Sequence, residues 1–430
     1  MIYLLAASLA SVLVIAFILS KCDVFSPWVI ITASFLNSTC LAMLNVNYWG
    51  FTFHLNTCLV ILSGVLLFGC GSLLSNSAFR REIPMCGGFV EFDMKKSYLL
   101  AVLSTVLIAV LSYLALKELY QLSIQYGNTE GYSNIVRTLR PLIEAKILDL
   151  PRDFAYMNLI GMALSCTFLA IGINNIITQK NKLEYLIFLL PMLAYIPMIL
   201  LSTGRMSFLQ VILFSIVIGG ILYQKKYGYS KITTVKMLVY ICGAMILFFI
   251  CFFSAGHLTG KVITADRTPF VIISHYTGAQ IPALDIQLNN YLWNDTNNIG
   301  EITLLGIYGN LRHLGIELPQ TSMFLPFIQL NHVTTNVYTS LFRYIHDYGM
   351  VGMWVITFTL GVFYTTLYNV IKYRCRSFIL LIIYAYISLP LFLFGHDEIF
   401  LTGIIVSRNI YLFAIMILLV EILKTRTVKK

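Results

Sequence analysis

Long apolar runs with few or no charges constrain this chain more than any other feature of its sequence. They fall near residues 2–20, 28–46, 56–76, 98–117, 156–178, 184–202, 206–223, 237–255, 350–371, 377–394 and 401–422. A hydrocarbon layer about 30 Å thick takes roughly 20 apolar residues per helix, so each run is long enough to cross or nearly cross one. Inside lipid every backbone polar group must be paired within the protein, and a helix does this without a partner strand. The alternating pattern of an outer-membrane barrel is missing, because these runs are unbroken. Composition closes the soluble alternative: 58% of residues are hydrophobic and 11% charged, against roughly a quarter charged in soluble domains. The chain reads as all-α, a polytopic integral membrane protein of about eleven transmembrane helices. The first run lacks a basic leader and a small-residue cleavage site, and is expected to be a span instead of a cleaved signal.

The net charge of +10 does not point to nucleic acid. Much of it sits between spans, in Arg80-Arg81, Lys95-Lys96, Lys180/Lys182 and Lys225-Lys226, where basic residues mark the cytoplasmic side. Segments 77–97, 179–183, 224–236, 372–376 and 423–430 therefore read as inside. Segments 47–55, 118–155, 203–205, 256–349 and 395–400 read as outside, with the amino terminus outside and the carboxyl terminus inside. The nine cysteines (22, 40, 58, 70, 86, 166, 242, 251, 375) avoid the long outer loops, as an oxidising compartment would favour. The seven histidines (54, 257, 275, 313, 332, 346, 396) fall on or near the outer side.

One membrane domain, 1–430, is expected, with two outer excursions and no repeat or flexible linker. Excursion 118–155 contains a short helical pattern at 134–148. Excursion 256–349, between the eighth and ninth spans, is too long for a bare loop. It carries an amphipathic pattern at 301–313 and a second helical pattern from Thr334.

Several residues could carry chemistry. Arg205, in Leu200-Leu201-Ser202-Thr203-Gly204-Arg205-Met206-Ser207, lies at a tight turn near the outer interface. It is either an interfacial anchor or a fixed cation whose planar fork suits a phosphate. Arg408 lies inside the last apolar run, where charges are costly and are functional candidates. A structural pair with Asp397 or Glu398 is its alternative. Read as a helix, 335–349 puts Asn336, Thr339, Arg343 and His346/Asp347 on one polar stripe. A plain amphipathic surface helix predicts the same stripe. A cation, an imidazole and a carboxylate this close could also bind phosphate and take a proton from an attacking hydroxyl. His396, Asp397 and Glu398 fill the turn before the last span, without zinc-motif spacing. Arg267, eleven positions before Gly278, matches a spacing that chance also supplies. No Walker motif, GxGxxG or DxD signature occurs, and no metal or cofactor is expected.

In layout the chain resembles the Wzy-type O-antigen polymerases, which polymerise oligosaccharide repeat units of bacterial envelopes. The resemblance rests on ten to twelve spans with a dominant late outer loop, a GT-C-like plan, and on two short segments. These are Thr203-Gly204-Arg205-Met206-Ser207, and Asn336-Val337-Tyr338-Thr339 running on to Tyr344-Ile345-His346-Asp347-Tyr348-Gly349-Met350-Val351-Gly352. Related ligases often carry a His-Asn pair; here Thr335 precedes Asn336. The resemblance implies a glycosyltransferase of the bacterial inner membrane, with the large loop periplasmic. Its donor is a glycan on a polyprenyl pyrophosphate, its acceptor a single lipid-linked repeat, and a chain-length regulator is a possible partner. The acceptor hydroxyl attacks the anomeric carbon and the lipid pyrophosphate leaves. Arg205 and Arg408 would hold the pyrophosphate, with Arg343 and Arg267 helping, and the base stays open between His346, Asp347 and His332. The rival readings are a lipid-linked oligosaccharide flippase or other transporter, and an O-antigen ligase.

Overall fold

The computed structural model describes residues 1–87, 89–144, 147–179, 183–202, 206–230, 232–243, 268–289, 299–318 and 325–425. Arg205 and Arg267 lie outside these residues. The chain is an all-α polytopic membrane protein. Among the described residues eight helices are long and apolar enough to cross a membrane. The principal elements are α1 (Ile2–Leu19), α2 (Pro27–Leu44), α3 (Leu55–Ala78), α4 (Met94–Gln125), α5 (Ile135–Glu144), α6 (Arg152–Thr178), α7 (Leu190–Leu201) and α8 (Met206–Tyr227). They continue with α9 (Pro269–Gly278), α10 (Gln280–Asn289), α11 (Leu305–His313), α12 (Ser340–Asn369), α13 (Phe378–Ile387) and α14 (Ser407–Leu423). Strands β1 (Ile328–Gln329) and β2 (Thr334–Thr335) pair antiparallel, Ile328 with Thr335 and Gln329 with Thr334.

Local sequence explains several helix starts. Pro27 follows Ser26 at the first position of α2, where a missing N–H costs nothing. Asp93 and Ser377 accept N–H bonds from Lys96 (3.2 Å) and Leu380 (3.3 Å) at the starts of α4 and α13, each satisfying an orphan donor. The helices are packed inside-out relative to a soluble bundle. On α4 the buried positions are Ser97, Ala101, Ser104, Ile108, Ser112, Ala115, Leu119 and Ser123, while Leu99, Val102, Leu103, Val106 and Val110 are exposed. Small residues let helices approach closely, and lipid takes the large apolar ones.

The closest seam joins α3 and α12. A Cβ at Gly71 or Gly361 would collide with the carbonyl of Phe358 or Phe68. Thr365 Oγ1 donates to Ser72 Oγ at 3.0 Å, and Asn369 Nδ2 to Asn76 Oδ1 at 2.8 Å. The basic connectors gather at one end of the bundle. There Met85 N–H donates to the Lys372 carbonyl, Gly87 N–H to that of Lys225, and Asp93 N–H to that of Leu423. Buried Asp23 ties that end together by accepting from Lys372 Nζ (2.6 Å), the Tyr368 hydroxyl (2.6 Å) and Gln224 Nε2 (3.0 Å).

Span 237–255 is described only through the helix Ile232–Gly243, the rest lying outside the described residues. The structure departs from the sequence expectation in three places. The fourth span overruns its expected end at 117 and continues to Gln125 before the short helix α5. The helix expected from Thr334 starts at Ser340, and Gly349, at φ +67°, breaks it from the spanning part that follows. Asn336 and Thr339 therefore precede the helix and share no stripe with Arg343. Finally, segment 395–400 is no outer connector. Phe394 packs edge-on against Phe35 (6.1 Å between centroids) and Phe68 (5.9 Å), at mid-length of α2 and α3. Gly395 permits this, since a Cβ there would lie 3.1 Å from the Phe35 backbone.

Candidate active site

Three interrupted stretches meet where 395–400 enters the bundle, and their broken backbone is satisfied by side chains. Ser340 N–H donates to the Phe394 carbonyl (3.1 Å) and Ser340 Oγ to the Asp397 carbonyl (2.8 Å). Ser34 Oγ accepts from Gly395 N–H at 3.1 Å. Glu398 accepts from Leu401 N–H (2.8 Å), Thr402 N–H (2.9 Å) and the Tyr344 hydroxyl (3.2 Å). Its oxygens cap the turn at 400–404. His396 Nδ1 is enclosed without a partner among the described residues. Its imidazole also meets the Tyr276 backbone.

Arg343 is not free for a pyrophosphate. Its side chain is 3% exposed and forks onto Asp397, Nε to Oδ1 at 3.0 Å and Nη2 to Oδ2 at 3.3 Å. Nη1 donates to the Ile302 carbonyl at 3.0 Å. Arg343, expected to help hold the pyrophosphate, is thus committed to Asp397, and Asp397, one of two alternatives for a structural pair with Arg408, pairs with Arg343 instead. Asp347 is likewise engaged. Its enclosed carboxylate accepts from Ile302 N–H (3.1 Å) and Thr303 N–H (2.7 Å). It also meets His346 Nδ1 at 3.0 Å, so it orients the His346 ring, which keeps 12% of its surface exposed. His332 is exposed and stacks on Tyr48, 4.5 Å between centroids and 16° from parallel. Asn336 is half-buried in the extended approach to α12.

Arg408 sits in the first turn of α14, where an irregular π-turn at 400–404 has displaced the helix start. It is exposed, and no carboxylate among the described residues pairs with it. Its charge acts on the hydroxyls of Tyr195 and Tyr386, and the Tyr195 hydroxyl meets the Ser207 side chain and donates to Asn158 Oδ1 at 2.7 Å. A cation at a helix amino terminus opposes the macrodipole, and both attract an anion.

Residues 300–310 bridge the imidazole to this cation. Ile302 and Thr303 bond to Asp347, beside His346. Gly306 then packs on Val406 and the Ile405 carbonyl, where a Cβ would stand 2.6 and 2.7 Å away. Asn310 Oδ1 accepts from Ser407 N–H at 3.1 Å, one residue before Arg408. Asn310 had no signal in the sequence, because its role depends on contact with a segment 97 positions away.

A second histidine–aspartate pair also escaped the sequence. Asp285, 1% exposed, accepts from His54 Nδ1 at 2.8 Å, from His54 N–H at 3.0 Å and from Thr57 Oγ1 at 2.6 Å. His54 and Thr57 are more than 200 positions from Asp285, and no local pattern joins them to it. Among the described residues no group of three or more potential metal ligands occurs. Compared with known proteins, the chain matches no family model, no curated protein and no solved structure.

Proposed function

We propose that this protein polymerises oligosaccharide repeat units carried on a polyprenyl pyrophosphate, on the outer face of a bacterial inner membrane. The carrying observation is the bridge through residues 300–310, which ties an aspartate-oriented imidazole to an exposed cation at a helix amino terminus. In this reading Arg408 grips the lipid pyrophosphate and stabilises its developing charge as it leaves. Arg205, two residues before Ser207 in the sequence, is its proposed partner. His346, with Nδ1 held by Asp347, takes the proton of the acceptor hydroxyl through Nε2 as that oxygen attacks the anomeric carbon. The expected eleven spans, the outside amino terminus and the periplasmic 256–349 excursion belong to the same proposal.

One observation favours a second reading, a lipid-linked oligosaccharide flippase. Discontinuous helices and a buried ion pair at mid-bundle are features of transporters. A single experiment separates the two: delete the gene and run the surface polysaccharide on a gel. Collapse of the ladder to a single-repeat band is the expected result, because repeats are still exported and ligated but no longer joined. Absence of any surface repeat would favour the flippase, and an unchanged ladder would sink both.

A further inference from the structure

The His54–Asp285 pair stands apart from the assembly around Arg408, at the start of α3, the end of the bundle opposite Asp23 and the basic connectors. Asp285 divides its carboxylate between two tasks. Oδ1 receives His54 N–H and Thr57 Oγ1 and so secures the first turn of α3. That bond set alone explains a buried aspartate joining α10 to α3. Oδ2 is left to the His54 ring (2.8 Å), although that side chain is 52% exposed. A carboxylate on Nδ1 keeps the ring hydrogen there, so Nε2 of the neutral ring is a fixed acceptor open to the outside.

The segment that leads into His54 also carries one half of a stacked pair. Tyr48 is 41% exposed with His332 lying parallel to it. The two segments are stitched together by Asn331 N–H donating to the Trp49 carbonyl at 3.2 Å, with the Asn331 side chain over Gly50. Their composition is informative. Residues 45–54 and 327–336 contain no Lys, Arg, Asp or Glu, but they carry Asn47, Gln329, Asn331 and Asn336 toward the surface. These two segments have no fixed charge with which to grip a phosphate or a carboxylate. They offer amides, imidazoles and aromatic planes, which suit a neutral polyhydroxylated ligand: hydroxyls bond the fixed polar groups and the apolar ring face lies on the aromatics.

We propose that His54, Asp285, Tyr48 and His332 form a saccharide subsite that holds the glycan part of the substrate, with His54 Nε2 accepting a sugar hydroxyl. Asp285 is a positioning residue and does not touch the sugar. The assignment rests on the polymerase reading for the source of the glycan.

The test uses the full-length protein in lipid nanodiscs and, as probe, the free oligosaccharide repeat released by mild acid from the host's own lipid carrier. Saturation-transfer NMR and calorimetry measure binding. Saturable binding is expected. His54→Leu and Tyr48→Ala should each weaken it roughly tenfold, the scale of one lost hydrogen bond or stacking contact. Arg408→Ala should stay within about twofold, since this probe has no pyrophosphate. His332→Ala, which removes an exposed ring and threatens no fold, should weaken binding as Tyr48→Ala does. In turnover assays His54→Leu should raise KM for the lipid-linked repeat and leave kcat alone. Absence of binding by the native protein, or unchanged binding by both His54→Leu and His332→Ala, overturns the subsite. An unchanged ladder in the deletion strain alongside intact oligosaccharide binding would instead overturn the polymerase reading and leave the subsite standing.

Discussion

Removing Asp397 should do more damage than removing it together with its partner. Arg343 is 3% exposed, and two of its three nitrogens donate to Asp397 at 3.0 and 3.3 Å. Taking away the carboxylate leaves an enclosed guanidinium that has lost two charge-assisted bonds, while its bond to the Ile302 carbonyl stays. Breaking a buried pair in this way costs about 3–5 kcal/mol, whereas replacing both members by apolar residues of similar volume is often neutral. At about 1.4 kcal/mol per tenfold, Asp397→Ala should lower the folded-to-unfolded ratio by roughly two to four powers of ten. Arg343→Met combined with Asp397→Leu should recover most of that loss. Thermal unfolding in detergent, followed by fluorescence-detected size exclusion, ranks the native protein and these variants. If Arg343 is structural, the double variant should also restore a polysaccharide ladder. A double variant as unstable as Asp397→Ala would refute the pairing argument. One that is stable but makes no ladder would return Arg343 to the substrate.

Other outcomes follow from the same contacts. Arg408→Ala should abolish chain extension at normal protein level, a loss of about 10²–10³ in rate if the cation stabilises the leaving group; Arg408→Lys should keep a fraction, and an unchanged ladder in both would remove Arg408 from the site. His346→Gln should lower kcat by about 10²–10⁴ with little change in stability, as turnover in membrane vesicles can measure. Gly306→Val should cost about 1–3 kcal/mol by overpacking against Val406 and the Ile405 carbonyl, visible as a lower melting temperature.

The eight apolar helices long enough to cross a membrane were legible because a run of about 20 apolar residues has few other uses. The site was legible only in part, and the reasons differ by residue. His346 and Asp347 are neighbours in sequence, so their pairing needs no tertiary knowledge. Asn336 and Thr339 fit three-and-four spacing by count, but the two-residue strand β2 and the extended approach to Ser340 take them off the helix. The turn 395–400 reads as an outer connector because short polar segments between apolar runs usually are. What draws it inward is Gly395 against Phe35, a fit between segments some 360 positions apart. His54 and Asp285 are 231 positions apart, and no periodicity could have joined them.

The interrupted helices also bear on the choice between transfer and transport. A transporter's broken helices must exchange between two arrangements of similar free energy. Here the breaks are cross-tied. Asp397 binds Arg343, Asp347 binds the backbone at 302–303, Glu398 binds its own turn at 401–402, and Asn310 binds the start of α14. Hydrogen bonds to charged groups contribute about 1.5–3 kcal/mol each, so a motion that parted several of them would cost more than a cycling equilibrium tolerates. The carboxylates nearest the site are thereby occupied in holding backbone and guanidinium in place. What they leave open is the His346 ring and Arg408, a proton acceptor and a cation on a fixed frame. Electrostatic stabilisation of a leaving group works best on such a frame, because the donors need not reorganise as charge develops.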